Sequence, residues 1–293
     1  MQSSLYYIEK TANLKQEKAF STDFTVDHVE GAVDQNATPD CRQVTVNAIQ
    51  DPDDFQLDVH GFCVLHGQTH LDHEGVYRNK ASVQDAYYYE IEAILHEAFP
   101  QYSRIEAFDL TACTPLPHPT FSSKLTYLQV RKRDVDFPDV VRGYRKEYEQ
   151  PSSIAHCDWS KNGSLKVLHW CFPGNESYWE GKRFDMLNVW RPLKQPSDDW
   201  PLAVCDYTTV DPDHDIRLSD AIRRDRVDEV CVLHYNEKHK WYYLKDQGVE
   251  DLLVFRNADS HGERARAFHA AVHNPQAQGP PRESVEVRLV AIY

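Results

Sequence analysis

Glu229-Val-Cys-Val-Leu-His-Tyr-Asn-Glu-Lys-His-Lys-Trp-Tyr-Tyr-Leu-Lys-Asp-Gln-Gly-Val-Glu-Asp-Leu-Leu-Val-Phe255 sets three short apolar runs, rich in β-branched and aromatic residues, between polar turn formers. Each run is too short for an ordinary helix and reads as a strand, with Asn236-Glu-Lys238 as a hairpin turn between the first two. Similar runs lie on either side: Leu125-Thr-Tyr-Leu-Gln-Val130, Ser164-Leu-Lys-Val-Leu-His-Trp-Cys-Phe172, Lys182-Arg-Phe-Asp-Met-Leu-Asn-Val-Trp190, Pro201-Leu-Ala-Val-Cys205 and Ser284-Val-Glu-Val-Arg-Leu-Val-Ala-Ile292. The good helical candidate in this half falls near 218–224. Many short strands with turn signals predict a mainly β fold, a sandwich or jelly roll over about 151–293. In the N-terminal half a helix is predicted over 83–99, capped by Ser82, with Tyr88, Ile91, Leu95 and Ala98 on one stripe and Pro100 ending it. A second is predicted over 138–149, opening on Pro138. We read residues 1–293 as one domain in which about 1–150 brace the C-terminal β core.

The chain of 293 residues is 41% hydrophobic, enough for a sizeable core. Its formal charge of −14, with no basic run longer than Arg131-Lys-Arg133, argues against nucleic acid as a partner. The seven cysteines form no Cys-x-x-Cys pair, which points to a reducing, cytoplasmic setting rather than to a disulfide framework. No apolar run reaches the roughly 18 residues of a membrane span, so no membrane partner is expected.

Histidines carry the chemistry. The loudest cluster, His60-Gly-Phe-Cys-Val-Leu-His-Gly-Gln-Thr-His-Leu-Asp-His73, includes Gln68-Thr-His-Leu-Asp-His73. That run resembles the His-x-His-x-Asp-His signature of metallo-β-lactamase-like zinc hydrolases. Gln68 replaces the first histidine with a poor zinc ligand, and the fold pattern differs, so a solvated polar loop is the better reading. His156-Cys-Asp158 is a second pattern. Groups at i and i+2 point to one side of an extended chain, so both reach one ion from a sheet rim. Two histidines and a carboxylate on one face of an octahedral ion are typical of non-haem Fe(II) oxygenases. Third-ligand candidates are His169, His214, His234, His239, His261, His269 and His273. The first four fall in a strand, an acidic loop and the flanks of a turn. That leaves Asp259-Ser-His-Gly-Glu-Arg-Ala-Arg-Ala-Phe-His-Ala-Ala-Val-His-Asn-Pro275, followed by a returning strand from Arg282. Arg282 has the planar fork suited to a carboxylate, and Ser284 shares its face. Arg288 shares it too, but six residues of strand span roughly 20 Å, so both arginines cannot hold one small acid.

The chain resembles the fungal AsaB-type hydroxylase/desaturases, related to gibberellin desaturase-like proteins and to CmcJ of cephalosporin 7α-hydroxylation, from about residue 43 to the end. His156-Cys-Asp158, Asn188-Val-Trp-Arg-Pro-Leu193, Pro201-Leu-Ala-Val-Cys-Asp206, Trp241-Tyr-Tyr243 and Arg282-Glu-Ser-Val-Glu-Val-Arg288 carry the likeness. Against the family pattern Pro-His-Thr-Ala-Phe-Asp-Asp-Pro, Phe268-His-Ala-Ala-Val-His-Asn-Pro275 aligns His269 with the histidine, which selects it as third ligand. The sequence departs there, with Phe268 for proline and Val272 for phenylalanine, both expected along the substrate pocket.

The resemblance implies a double-stranded β-helix, a cupin-like jelly roll, with Fe(II), 2-oxoglutarate and O2 as cofactors. Arg282 and Ser284 would bind the co-substrate, Asn188 is a further candidate contact, and Trp190 and Tyr127 could wall the cavity. The implied activity is hydroxylation, desaturation or oxidative cyclisation of a small molecule in fungal secondary metabolism. A carboxylate ligand at Asp158 argues against halogenation. The alternatives are a non-haem iron oxidase that does not use 2-oxoglutarate, and a jelly-roll binding protein without catalysis.

Overall fold

The structure is a computed structural model and describes residues 1–71, 74, 80–108, 129–132, 151–194, 198–278 and 281–293. Its described strands are β1 (Gln2–Ile8), β2 (Ala19–Thr22), β3 (Pro39–Ala48), β4 (Phe62–His66), β5 (Arg104–Phe108), β6 (Gln129–Lys132), β7 (His156–Cys157), β8 (Phe184–Pro192), β9 (Leu202–Cys205), β10 (Ile216–Ile222), β11 (Val227–Leu233), β12 (Trp241–Tyr243), β13 (Asp251–Asp259), β14 (His269–Ala271) and β15 (Glu283–Ile292). The fold is mainly β, in two sheets. One follows the order β1-β3-β12-β9-β14-β7-β11-β10-β2; the other follows β4-β13-β8-β15-β5, with β6 also paired to β15.

The larger sheet curls on itself. Tyr6 of β1 donates its N–H to Ser153 O at 3.0 Å and accepts from Ala155 N at 2.9 Å, while Ala271 N of β14 donates to Ser152 O at 2.6 Å. The segment ahead of β7 thus has β14 on one side and β1 on the other. Inside the curl, Leu5, Tyr7, Cys157, Trp241 and Phe268 are buried together, and Trp241 Nε1 donates to Tyr7 Oη at 2.8 Å. The opposite face of this sheet meets the smaller sheet through Val204, Trp190, Leu253 and Phe255. On the smaller sheet's outer face Val189, Val254, Val287 and Leu289 pack under Tyr87, Ile91 and Leu95 of the helix Lys80–Ala98. Burying Ile91 and Leu95 contributes roughly 2 kcal/mol each.

Several expectations need correction. Ser164–Phe172 is not a strand: Lys161–Cys171 is a helix, because Ser160 Oγ caps Gly163 N at 2.9 Å and Ser164, Val167 and Leu168 form its buried stripe. The residues near 218–224 are strand β10, paired with β11 along Ile216–Ile222; sheet pairing overrides their local helical preference. Asn236-Glu-Lys238 closes no hairpin, since β12 pairs with β3 and β9 while β11 pairs with β10 and β7. The segment crosses instead, pinned by Asp215, whose carboxylate accepts from Asn236 Nδ2 at 2.9 Å and lies 3.1 Å from His239 Nε2. The long helix is already formed at Lys80, ahead of Ser82, and Ala98 is exposed. Strands from the first 150 residues join both sheets, β1, β2 and β3 one and β4, β5 and β6 the other. The expected helix 138–149 and residues 125–128 lie outside the described residues.

The link from β13 to β14 is shaped by Asp259. Its Oδ1 accepts the backbone N–H of His261, Gly262 and Glu263 at 2.9, 2.8 and 3.3 Å, and its Oδ2 that of Arg264 at 3.0 Å. Burial alone would raise its pKa, but these N–H groups hold it below the usual carboxylate value. Its stabilising contribution is therefore fully present above about pH 3.9 and is lost as pH falls through the lower folded-state value. Asp259→Asn should cost about 1–3 kcal/mol at neutral pH and progressively less in acid. Urea unfolding of both proteins at several pH values checks this; a constant gap down to the acid limit would contradict it.

Candidate metal centre

The two-residue strand β7 has neighbours on both sides. His156 stands opposite Val232 of β11 and opposite His269 of β14, so the two histidines are cross-strand partners. Their rings lie 4.4 Å apart at 46°. Alternation turns Cys157 to the other face, into the curled core, where burial pushes its thiol pKa well up. Asp158 follows at the strand end, its N–H donated to Asn257 Oδ1 of β13 at 2.9 Å.

Both imidazoles are oriented alike. His156 Nδ1 lies 2.7 Å from Ile154 O and His269 Nδ1 3.3 Å from Ala267 O. Donation from each Nδ1–H fixes the tautomer and leaves Nε2 as a lone-pair donor, the usual arrangement behind a metal-bound histidine. The Nε2 atoms are 3.5 and 3.9 Å from Asp158 Oδ1. The other oxygen, Oδ2, accepts Asn188 Nδ2 and Arg288 Nε, each at 2.9 Å. One potential ligand atom from each of the three residues lies within 4.8 Å of the others, the one such group among the described residues. Burial would raise the pKa of Asp158; the guanidinium of Arg288, and then His156 and His269, hold it well below the carboxylate range. An ionised oxygen with two imidazole nitrogens fits a divalent first-row ion bound on one face.

Just ahead of β15, Arg282 is 1% exposed. Its Nε donates to Ser284 Oγ at 3.1 Å and one terminal nitrogen to Trp200 O at 2.5 Å, while the guanidinium lies 5.0 Å over the Trp190 ring. Trp190 is buried on the face of β8 that meets the larger sheet. Asn188 is inside too, but its amide is committed to Asp158 and, at 2.6 Å, to Glu286 Oε1. Phe268 and Val272 are not along the pocket: alternation puts them, with Ala270, on the face opposite His269, in the curled core. Tyr127 lies outside the described residues. Trp159 does not turn away with Cys157. The strand ends at Cys157, so alternation no longer applies, and the Trp159 ring lies 5.4 Å from the Arg288 guanidinium.

The other histidines scatter. His66 lies near Glu250 and Asp251, His70 pairs with Glu90, His214 with Asp211 and His239 with Asp215, while His234 contacts Ile8 O. His73 lies outside the described residues. Sequence reasoning missed the partnership of Arg288 with Asp158 and the place of Glu286. The available signal was charge at alternate positions of a strand whose other face is Val285, Val287 and Leu289.

The chain is similar to several known proteins. The Fe(II)/2-oxoglutarate-dependent dioxygenase nvfI of Aspergillus novofumigatus is 34% identical over 148 residues, 49% of this chain and 53% of that protein. The gibberellin cluster GA4 desaturase of Gibberella fujikuroi is 26% identical over 185 residues, 52% of this chain and 54% of that protein. Such matches span about half the length of those relatives. The alpha-ketoglutarate-dependent dioxygenase tstK of Talaromyces stipitatus is 25% identical over 260 residues, 85% of this chain and 84% of that protein. A solved structure of the iron and alpha-ketoglutarate-dependent endoperoxidase NvfI shares the fold with a TM-score of 0.76 at 24% identity, covering 100% of this chain and 97% of that one. No described helix is long and apolar enough to cross a membrane. A family model described as an oxidoreductase/YMDC permease-like domain matches residues 5–292, and the chain belongs to that family.

Proposed function

We propose that this protein is an Fe(II)/2-oxoglutarate-dependent oxygenase built as a single domain on a double-stranded β-helix. Its substrate would be a fungal secondary metabolite, oxidised at an unactivated C–H bond by hydroxylation, desaturation or cyclisation. The observation that carries the reading is the convergence of His156 Nε2, His269 Nε2 and Asp158 Oδ1 on one face, each aimed by a second contact of its own side chain. The three residues would hold Fe(II), which, with 2-oxoglutarate and O2, supplies the oxidising power for such a bond. Arg282 would take the far carboxylate of 2-oxoglutarate with its planar fork, and Ser284 adds a hydroxyl beside it. Trp190 covers one face of that guanidinium and excludes water from it. Placing one C–H bond and keeping water out are the tasks left to the cavity wall. The formal charge of −14 and the lack of any Cys-x-x-Cys pair in the sequence favour a cytoplasmic enzyme with no nucleic-acid partner.

Anaerobic titration of Fe(II) and then 2-oxoglutarate tests the reading. A visible charge-transfer band at one equivalent of each is expected, and Arg282→Ala should weaken 2-oxoglutarate binding by roughly a hundredfold, the loss of about 3 kcal/mol of buried charge-assisted hydrogen bonding. Fe(II) binding without any effect of 2-oxoglutarate would favour an oxidase that does not use it. Absence of Fe(II) binding would leave a binding protein.

A further inference from the structure

Asp158 presents one oxygen to the histidines, and the reason lies on the facing sheet. Asn188 of β8 and Arg288 of β15 are direct cross-strand partners, so their inner-face side chains reach the same atom, Asp158 Oδ2, each at 2.9 Å. Glu286, two residues before Arg288 and on the same face, accepts from Asn188 Nδ2 at 2.6 Å and lies 3.4 Å from Arg288 Nε. Two donors and two carboxylate oxygens thus meet in one cluster. It is buried: Asn188, Glu286 and Arg288 are 0%, 3% and 7% exposed. The Trp159 ring, 5.4 Å from the guanidinium, flanks it.

We propose that Arg288, steered by Glu286, is a positioning residue that keeps Asp158 a one-oxygen ligand and whose fixed charge biases the bound iron toward the ferrous state. The inference rests on the iron reading above. With Oδ2 capped by a guanidinium and an amide, the carboxylate cannot swing to bind through both oxygens. A buried positive charge one residue away from the ligand disfavours a third positive charge on the metal more than a second, because the interaction scales with the product of charges and is weakly screened there. Glu286 acts in the opposite sense electrostatically while holding Arg288 and Asn188 in place. The opposing signs distinguish a charge effect from simple loosening of the site.

The test is a mediated redox titration of the iron-loaded protein, following the high-spin ferric signal by electron paramagnetic resonance. Arg288→Met should raise the ferric-to-ferrous ratio about tenfold at fixed potential, equivalent to a midpoint about 59 mV lower for one electron. Arg288→Lys, which keeps the charge but not the fork, should restore most of that shift. Glu286→Gln should move the midpoint the other way. Equal-sign shifts for Arg288→Met and Glu286→Gln, or no shift in either, overturn the proposal while leaving the iron reading intact. If Arg288→Met does not fold, Glu286→Gln decides alone: a raised midpoint supports the proposal, and a lowered or unchanged one overturns it. A wild-type protein that binds no Fe(II) overturns both readings, and that outcome is visible before any variant is made.

Discussion

His269→Ala is expected to abolish stoichiometric Fe(II) binding and to lower turnover about a thousandfold, roughly 4 kcal/mol of transition-state stabilisation. His156 and Asp158 come from one short stretch of chain, and His269 alone brings a donor from β14. Without it the remaining nitrogen and oxygen cannot define a face on an octahedral ion. The ring is also packed, lying 4.4 Å from that of His156 and 4.6 Å from that of Phe255. Its removal should therefore leave a small cavity and cost about 1–3 kcal/mol of stability. Isothermal titration with Fe(II) under argon, beside thermal unfolding of the metal-free protein, separates the two effects. A folded His269→Ala protein that still binds one Fe(II) with wild-type affinity would remove this residue from the centre.

A glycine far from any ligand in sequence should matter as much to the fold. Gly61 has φ of +83°, and a Cβ there would lie 2.3 Å from Arg266 C, 2.5 Å from Arg266 O and 2.7 Å from Ala267 N, all backbone atoms. Its carbonyl accepts from Arg256 N at 2.9 Å, and Ala267 N donates to Arg256 O at 2.9 Å, so the three segments are already at contact. Gly61→Ala is expected to destabilise the protein by about 3–5 kcal/mol, combining left-handed strain with a clash that only backbone movement relieves. Gly174→Ala is the matched control: φ is +82° there and nothing lies within 4 Å, so only the conformational cost of about 1–2 kcal/mol remains. Denaturant melts of both variants check the difference. Because Ala267 is two residues before His269, Gly61→Ala should also weaken Fe(II) binding in whatever fraction folds.

Much of the fold could be read where the pattern was strongly periodic or continuously apolar. Phe184–Pro192 and Glu283–Ile292 form the heart of the smaller sheet and were recognisable as strands. Errors cluster where local and long-range preferences compete. Val167-Leu168 sits in an apolar run that looks like a strand, yet Ser160 starts a helix and Gly163 lets it approach the backbone of Glu229, whose oxygen would be 2.1 Å from an added Cβ. The crossing of residues 234–240 was hidden because two strands close in sequence look like a hairpin unless their partners are known. At the candidate site, spacing suggested that His156 and Asp158 face together, and only the family likeness singled out His269. Alternation within β14 then contradicts the placement of Phe268 and Val272 along the pocket. Arg288 was legible only as a charge on the inner face of β15: Asp158 follows β7 of the other sheet, and strand spacing along β15 does not say which residue faces it.

The pairing of His156 with His269 also has a consequence for biosynthesis. It joins strands more than a hundred residues apart, and the clamp on Asp158 comes from β15, the last strand of the chain. Such non-local closure is slow relative to hairpin or helix formation. Until β14 and β15 have been made and have paired, the polypeptide presents two of the three candidate donors and no guanidinium beside the carboxylate. Completion of the candidate metal centre therefore depends on long-range strand pairing rather than on any local segment of the chain.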